Sequence, residues 1–295
     1  MAREDCFKVT EEYELMEFLQ VKLPDKSRNG IKALLKHGQI SIDNQVVSQF
    51  NYPLKIGQQV KVTWTKPAAE NCRAQKVNII FEDQHLIVVD KQAGLLSIAT
   101  GREQEQTAYS ILSAHVKREN PDNKIFVVHR LDRDTSGVMM FAKSENVQQL
   151  LQSDWKRVVV ERSYICVVEG LVRQAQGTIT SWLKESKTLV MYSSRNPDSG
   201  QKAVTHYQVL KQTKSYSLLE VKLETGRKNQ IRVHMHDLGH SIIGDKKYGA
   251  KTNPVKRLGL HAKVLAFYHP ITGERLRYES PVPQEFLRLF KQSAR

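Results

Sequence analysis

A chain of 295 residues has room for one large domain and a small one, and its 40% hydrophobic content suits a packed core. No apolar run reaches membrane-spanning length, which argues against an integral helical membrane protein. The formal net charge of +14 favours a polyanionic partner, because neutralising phosphates is the usual use of such an excess.

The first residues, MAREDCFKVTEEYE, are charged and carry no apolar stretch, so no secretory leader is expected. From Tyr13 to Trp64 the pattern predicts a small unit. Leu15, Phe18, Leu19 and Leu23 recur at helical spacing. A second helix is expected from near Ser27 to Lys36, with Ile31, Leu34 and Leu35 facing inward and Gly38 as its stop signal. Arg28, Lys32 and Lys36 stand four apart and form a basic stripe on another face. QISIDNQVV reads as strand, Asp-Asn turn, strand, and Val60, Val62 and Trp64 alternate along a closing strand.

The segment KPAAENCRAQKV lacks periodicity and opens with Lys-Pro, as a linker does. The expected division is therefore 1–66, a linker at 67–77, and 78–295. Beyond the linker, VNIIFEDQHLIVVDK predicts two strands and AYSILSAHVKREN a helix. VMMFAKS predicts a strand and ENVQQLLQSDWK a helix, and SYICVVEG, TSWLK, AVTHYQVLKQT and YSLLEVKLET are further strands. Strands outnumber helices at hairpin spacing, so the fold class expected is α+β with a largely antiparallel central sheet.

The most informative stretch is His129 to Gly137, HRLDRDTSG, which sets the carboxylate of Asp132 between Arg130 and Arg133. An Asp-Arg pair alone reads as a capped turn. The full string in a basic chain suggests instead a nucleophile or base acting on a polyanion. Other chemistries find less support. Cys6, Cys72 and Cys166 are scattered and offer no CxxC, which argues against disulfides and structural zinc and fits a reducing cytosol. His234, His236 and Asp237 alternate as on a strand and resemble a metal pair, but no third ligand stands at a supportive spacing, so no metal is expected.

HRLDRDTSG resembles the signature of the RluA-type pseudouridine synthases, which isomerise uridine in structured RNA. The likeness extends to IVVDKQAGLLS, RSYICVVEG, LETGRKNQIRVHMHDLGHSIIGDKKYG and RLGLHAKVLAFYHPITGE, in the family's order from about residue 78 onward. The N-terminal helix, helix, hairpin order, with its basic stripe, resembles the small alpha-L RNA-binding module found in some members of the family.

The resemblance implies roles for particular residues. Asp132 matches the family's catalytic aspartate, and Arg232 matches the arginine that pairs with it and favours its charged form. Tyr164 matches the active-site tyrosine, expected to stack on uracil and assist proton transfer at C5. Arg130 resembles the arginine that fills the gap left by a flipped base. Arg133, Arg227, Lys228 and Asn229 are expected to contact RNA with the stripe of Arg28, Lys32 and Lys36, while Lys143 reads equally as a phosphate contact or a solvated charge. The reaction is redox-neutral, so no cofactor is expected.

Three departures stand out. Lys91-Gln92 replaces a common Lys-Pro and removes a proline-set turn, Lys228-Asn229 replaces a common Thr-His, and Ser241 replaces a frequent proline. The function expected is a cytoplasmic, monomeric isomerase acting on large-subunit ribosomal RNA, with no membrane and no obligate protein partner. Transfer RNA is the alternative substrate, and a non-catalytic RNA-binding or ribosome-assembly protein is the alternative class.

Overall fold

The computed structural model describes residues 4–36, 38–43, 45–64, 76–99 and 106–291. The chain divides into two compact units, Met1–Ala74 and Gln75–Arg295. Residues 67–75 of the expected linker, with Cys72, lie outside the described residues.

In the N-terminal unit, β1 (Glu4–Lys8), β2 (Tyr13–Glu14), α1 (Leu15–Lys22), α2 (Arg28–Lys36), β3 (Ile40–Ile42), β4 (Gln45–Val46), β5 (Pro53–Leu54) and β6 (Gln59–Thr63) follow in order. The helical spacing predicted α1 correctly: Leu15, Met16, Phe18 and Leu19 are buried. They pack with Ile31 and Leu35 of α2 and with Val60 and Val62 of β6 in one core. Truncating a side chain so placed, such as Ile31→Ala, costs about 2–5 kcal/mol. Ser27 sits just before α2, where its hydroxyl accepts the Gly30 N–H at 3.1 Å. The antiparallel order is β1-β6-β3-β4, in which β1 is a strand that the sequence reading did not predict.

The larger unit begins with the hairpin β7 (Val77–Glu82) and β8 (Leu86–Lys91), then α3 (Ala108–Glu119), β9 (Phe126–Val127) and β10 (Ser136–Ala142). It continues through α4 (Glu145–Ser153), α5 (Trp155–Val158), β11 (Val159–Glu169), β12 (Gln176–Glu185), β13 (Met191–Ser194), β14 (Gln201–Gln212) and β15 (Tyr216–Leu223). α6 (Gln230–Asp237), β16 (Leu260–Tyr268), β17 (Arg275–Glu279) and α7 (Gln284–Arg288) complete it. Its 11-stranded sheet runs β13-β12-β14-β15-β11-β16-β10-β8-β7, with β17 on β16 and β9 on β10.

Among the described residues every pairing in this sheet is antiparallel except β10 with β16. That seam pairs Gly137 with Ala262 at a φ of 111°, and an added Cβ would lie 2.0 Å from the Ala262 carbonyl oxygen. Only glycine fits there, which accounts for the last letter of HRLDRDTSG. All seven residues of β10 are buried, as a strand covered on both faces requires. The fold is therefore α+β, with the seam set immediately after the Asp132 segment.

One segment departs from expectation. QIRVHMHD is helix α6 and not a strand. Ile231, Val233, His234 and Met235 are all buried, so their alternation with polar letters reflects a helix enclosed on most sides.

Candidate active site

Asp132 lies between β9 and β10, in a segment that several polar groups pin to the sheet. Ser97 clamps the preceding residue twice: its hydroxyl accepts the Leu131 N–H at 3.1 Å and donates to the Leu131 carbonyl at 2.8 Å. The following residue is held by the Gly94 N–H, which donates to the Arg133 carbonyl at 2.9 Å. The fully buried Lys91 ammonium donates to the carbonyls of Gln92, Leu95 and Arg133 at 3.1, 2.8 and 3.1 Å. Burial pushes Lys91 down to about 8. Gln92 offsets the expected loss of turn rigidity with a bond that proline cannot make, its N–H donating to the Lys76 carbonyl at 2.9 Å.

Arg232 reaches Asp132 from α6. Its Nη1 donates to Asp132 Oδ2 at 3.1 Å and to Asn229 Oδ1 at 3.3 Å. Its other edge is taken by Asp245, with Nε to Oδ2 at 2.7 Å and Nη2 to Oδ1 at 2.8 Å. The Tyr248 ring lies 4.9 Å from the guanidinium carbon, and Asn229 donates to the Tyr248 hydroxyl at 3.0 Å. Burial alone would lower the Arg232 pKa, but the two carboxylates, Asp245 foremost, outweigh it and raise it above its ordinary value.

Tyr164 is half-buried on β11 at an irregularity in its pairing with β16, between Ser163 and Tyr164. Such a bulge re-aims a side chain. Burial raises its pKa, so the phenol keeps its proton at neutral pH. Beside it, Arg162 donates to the carbonyls of Leu223 and Glu224 at 3.3 and 3.1 Å and lies over the Trp155 ring at 5.9 Å. His129 sits against the same ring at 5.2 Å, and its Nε2 accepts the Met140 N–H. Burial drives His129 down to about 3, so the ring is neutral.

Asp132, Tyr164, Arg130, Arg133, Arg227, Lys228 and Asn229 all line one cavity of about 720 Å³. Arg232 lines a smaller adjoining one of about 70 Å³, with Asp132 and Tyr164 again in its walls. The structure thus brings the three expected catalytic residues together. Arg130, Arg133 and Lys228 are exposed, and Lys228 pairs with Glu185. Arg227 donates to the Lys202 carbonyl at 3.1 Å. Asn229 is buried at the cavity wall, and both ends of its amide are engaged, by Arg232 and by the Tyr248 hydroxyl, in what forms a cage around the guanidinium. Its φ of 55° is left-handed, a conformation asparagine tolerates. The Lys143 ammonium donates to Glu82 at 2.9 Å with only 16% of its side chain exposed, so it is not a freely solvated charge. Arg28 and Lys32 are exposed on α2 of the N-terminal unit, and the Lys36 side chain lies outside the described residues.

Sequence reasoning missed Asp245, Ser97, Trp155 and Arg162. Ser97, Arg162 and Asp245 fall inside the motif strings, but no local pattern marked them. Among the described residues no cluster of His, Cys, Asp and Glu could hold a metal, and no helix is long and apolar enough to cross a membrane. His234 and His236 sit on α6. The former is fully buried between the Ser181 and Thr205 hydroxyls at 2.8 Å each, with its pKa lowered to about 4 by burial.

The RNA pseudouridylate synthase family matches residues 85–237, and the S4 domain matches residues 15–60. An uncharacterized RNA pseudouridine synthase of Bacillus subtilis, YlyB, is 35% identical over 281 residues, covering 93% of this chain and 92% of the relative. The ribosomal large subunit pseudouridine synthase D of Pseudomonas aeruginosa is 33% identical, covering 90% and 87%. The solved structure of human RNA pseudouridylate synthase domain containing 4 superposes with a TM-score of 0.59 at 26% identity, over 71% of this chain and 90% of that one. This chain belongs to the RNA pseudouridylate synthase family and carries an N-terminal S4 domain. It is an isomerase, as the motif resemblance predicted.

Proposed function

We propose that this enzyme converts uridine to pseudouridine in large-subunit ribosomal RNA, with Asp132 as its catalytic carboxylate. The observation that carries the reading is the Arg232 contact to Asp132 at 3.1 Å, in the wall of a cavity ringed by cations. A uridine within a stem must leave the stack to reach that carboxylate, and Arg130 is suited to fill the space it vacates. Arg133, Arg227 and Lys228 are suited to hold flanking phosphates.

In the reaction the N1–C1′ bond breaks, the uracil turns and C5 joins C1′; C5 gives up its proton and the freed N1 gains one, so the product is an isomer of the substrate. The Asp132 carboxylate serves by attacking carbon or by taking the C2′ proton; both routes need it ionised and fixed. Tyr164 stacks on the uracil and assists the transfer at C5. The residues through 66 bind RNA through the face bearing Arg28, Lys32 and Lys36, 67–77 link, and 78–295 carry the chemistry. Relatives named ribosomal large subunit pseudouridine synthase D support ribosomal RNA over transfer RNA. The test is to map pseudouridines across total RNA from cells with and without the enzyme, and then to supply the purified chain with each RNA. Sites lost from, and restored to, large-subunit RNA support the reading; sites in transfer RNA alone, or none, overturn it.

A further inference from the structure

Asp245 is the most buried member of the cage, with 1% of its side chain exposed, and the chemistry proposed above does not use it. A guanidinium offers its strongest binding to a carboxylate that meets two parallel N–H groups. Asp245 occupies such an edge of Arg232, the Nε and Nη2 pair, at 2.7 and 2.8 Å. Asp132 is met by Nη1 alone at 3.1 Å, and Asn229 shares that nitrogen at 3.3 Å. Asp245 is itself fixed, since it accepts the Tyr248 N–H and caps the turn Lys246–Tyr248, whose ring packs on the guanidinium.

We infer that Asp245 is a positioning residue of the isomerase site, holding Arg232 by one edge so that Asp132 is oriented through a single prong and left open to substrate. Two carboxylates share one guanidinium, so the group carries one negative charge in excess. That charge faces the cavity, because 32% of the Asp132 side chain is exposed against 1% for Asp245. Without Asp245, Arg232 is free to turn a two-pronged edge on Asp132 and draw it back from the sugar.

The inference rests on the isomerase reading, and its test separates the two. Asp245→Asn should lower kcat by about 10²-fold, the usual cost of a misplaced reacting group, with KM within about three-fold of wild type. The second arm places Asp245→Asn on an Arg232→Met background, where the buried Asp245 charge has no partner. There the substitution should raise the melting temperature and leave the residual kcat unchanged, because Asp245 acts only through Arg232. Wild-type kcat in a folded Asp245→Asn protein overturns the inference. So does a second full loss of activity on the Arg232→Met background, or a lower melting temperature there. If wild type makes no pseudouridine, the reading of the reaction fails, and the melting comparison still judges the cage.

Discussion

Arg232 and Lys32 are both cations on short helices, and their surroundings are opposite. Arg232 exposes 15% of its side chain and meets two carboxylates, an amide and a tyrosine ring. Lys32 is exposed, and its ammonium lies 5.8 Å from the Phe50 ring. Under the proposed function the contrast separates two uses of charge. A cation that shapes chemistry must be dehydrated and fixed, because an error of an ångström is costly. A cation that gathers a polyanion gains by releasing counterions and needs no fixed geometry.

The sharpest way to break this division is at the carboxylate that Arg232 serves. Asp132→Asn should abolish turnover while RNA affinity stays within about three-fold, because the group supplies chemistry more than binding. Single-turnover assays paired with filter binding will read both, and substantial activity in the variant would remove Asp132 from its role. Next in size, Arg232→Met should lower kcat by about 10²- to 10³-fold through loss of position. It should also destabilise the protein by roughly 3–5 kcal/mol, since the buried Asp245 carboxylate loses its cation partner. A fall in melting temperature without a fall in kcat would contradict the first half of the comparison.

The buried side also predicts a pH response. His234 is pushed down to about 4 by burial, whereas an unfolded histidine titrates near 6.5. Between those values the unfolded chain takes up a proton that the folded one refuses. The stabilisation is therefore complete above about pH 6.5 and is lost as pH falls toward 4, at no more than about 1.4 kcal/mol per unit. His129, pushed down to about 3, adds to the same trend. Denaturant titrations across the window should give a shallower slope for His234→Gln than for wild type; equal slopes would assign the response to other groups. The smallest effect belongs to the exposed side. Arg28→Ala/Lys32→Ala should leave kcat unchanged and reduce the salt slope of RNA binding by about 0.7–0.9 for each phosphate that is no longer neutralised. An unchanged slope would return these residues to simple solvation.

What could be read from sequence divides along the same line. The stripe of Arg28 and Lys32, the helix of Leu15, Phe18 and Leu19, and the buried strands around Val88 and Met140 are local patterns, and periodicity exposes them. Asp132 was legible because HRLDRDTSG packs its carboxylate, its arginines and its glycine into nine letters. The cage was not. Asp245 stands 13 residues from Arg232 and meets it only because α6 is a helix, while Ile231, Val233 and Met235 spell a strand. The left-handed turn at Asn229 starts that helix without a side-chain cap, so the usual start signal is missing. Ser97 bonds Leu131 across 34 residues, a distance that no local rule spans.

The seam between β10 and β16 also sets a timetable. Ser136 and His261 are hydrogen-bonded partners separated by 125 residues, and Arg232 must return 100 residues to reach Asp132. At about 5–20 residues per second, translation needs roughly 6–25 s to bridge the larger gap. The N-terminal core is complete in sequence by Val62, long before β16 exists. A nascent chain therefore completes the sequence of its S4 domain well before that of its candidate active site, and under the proposed function it would be able to hold RNA before it could alter it.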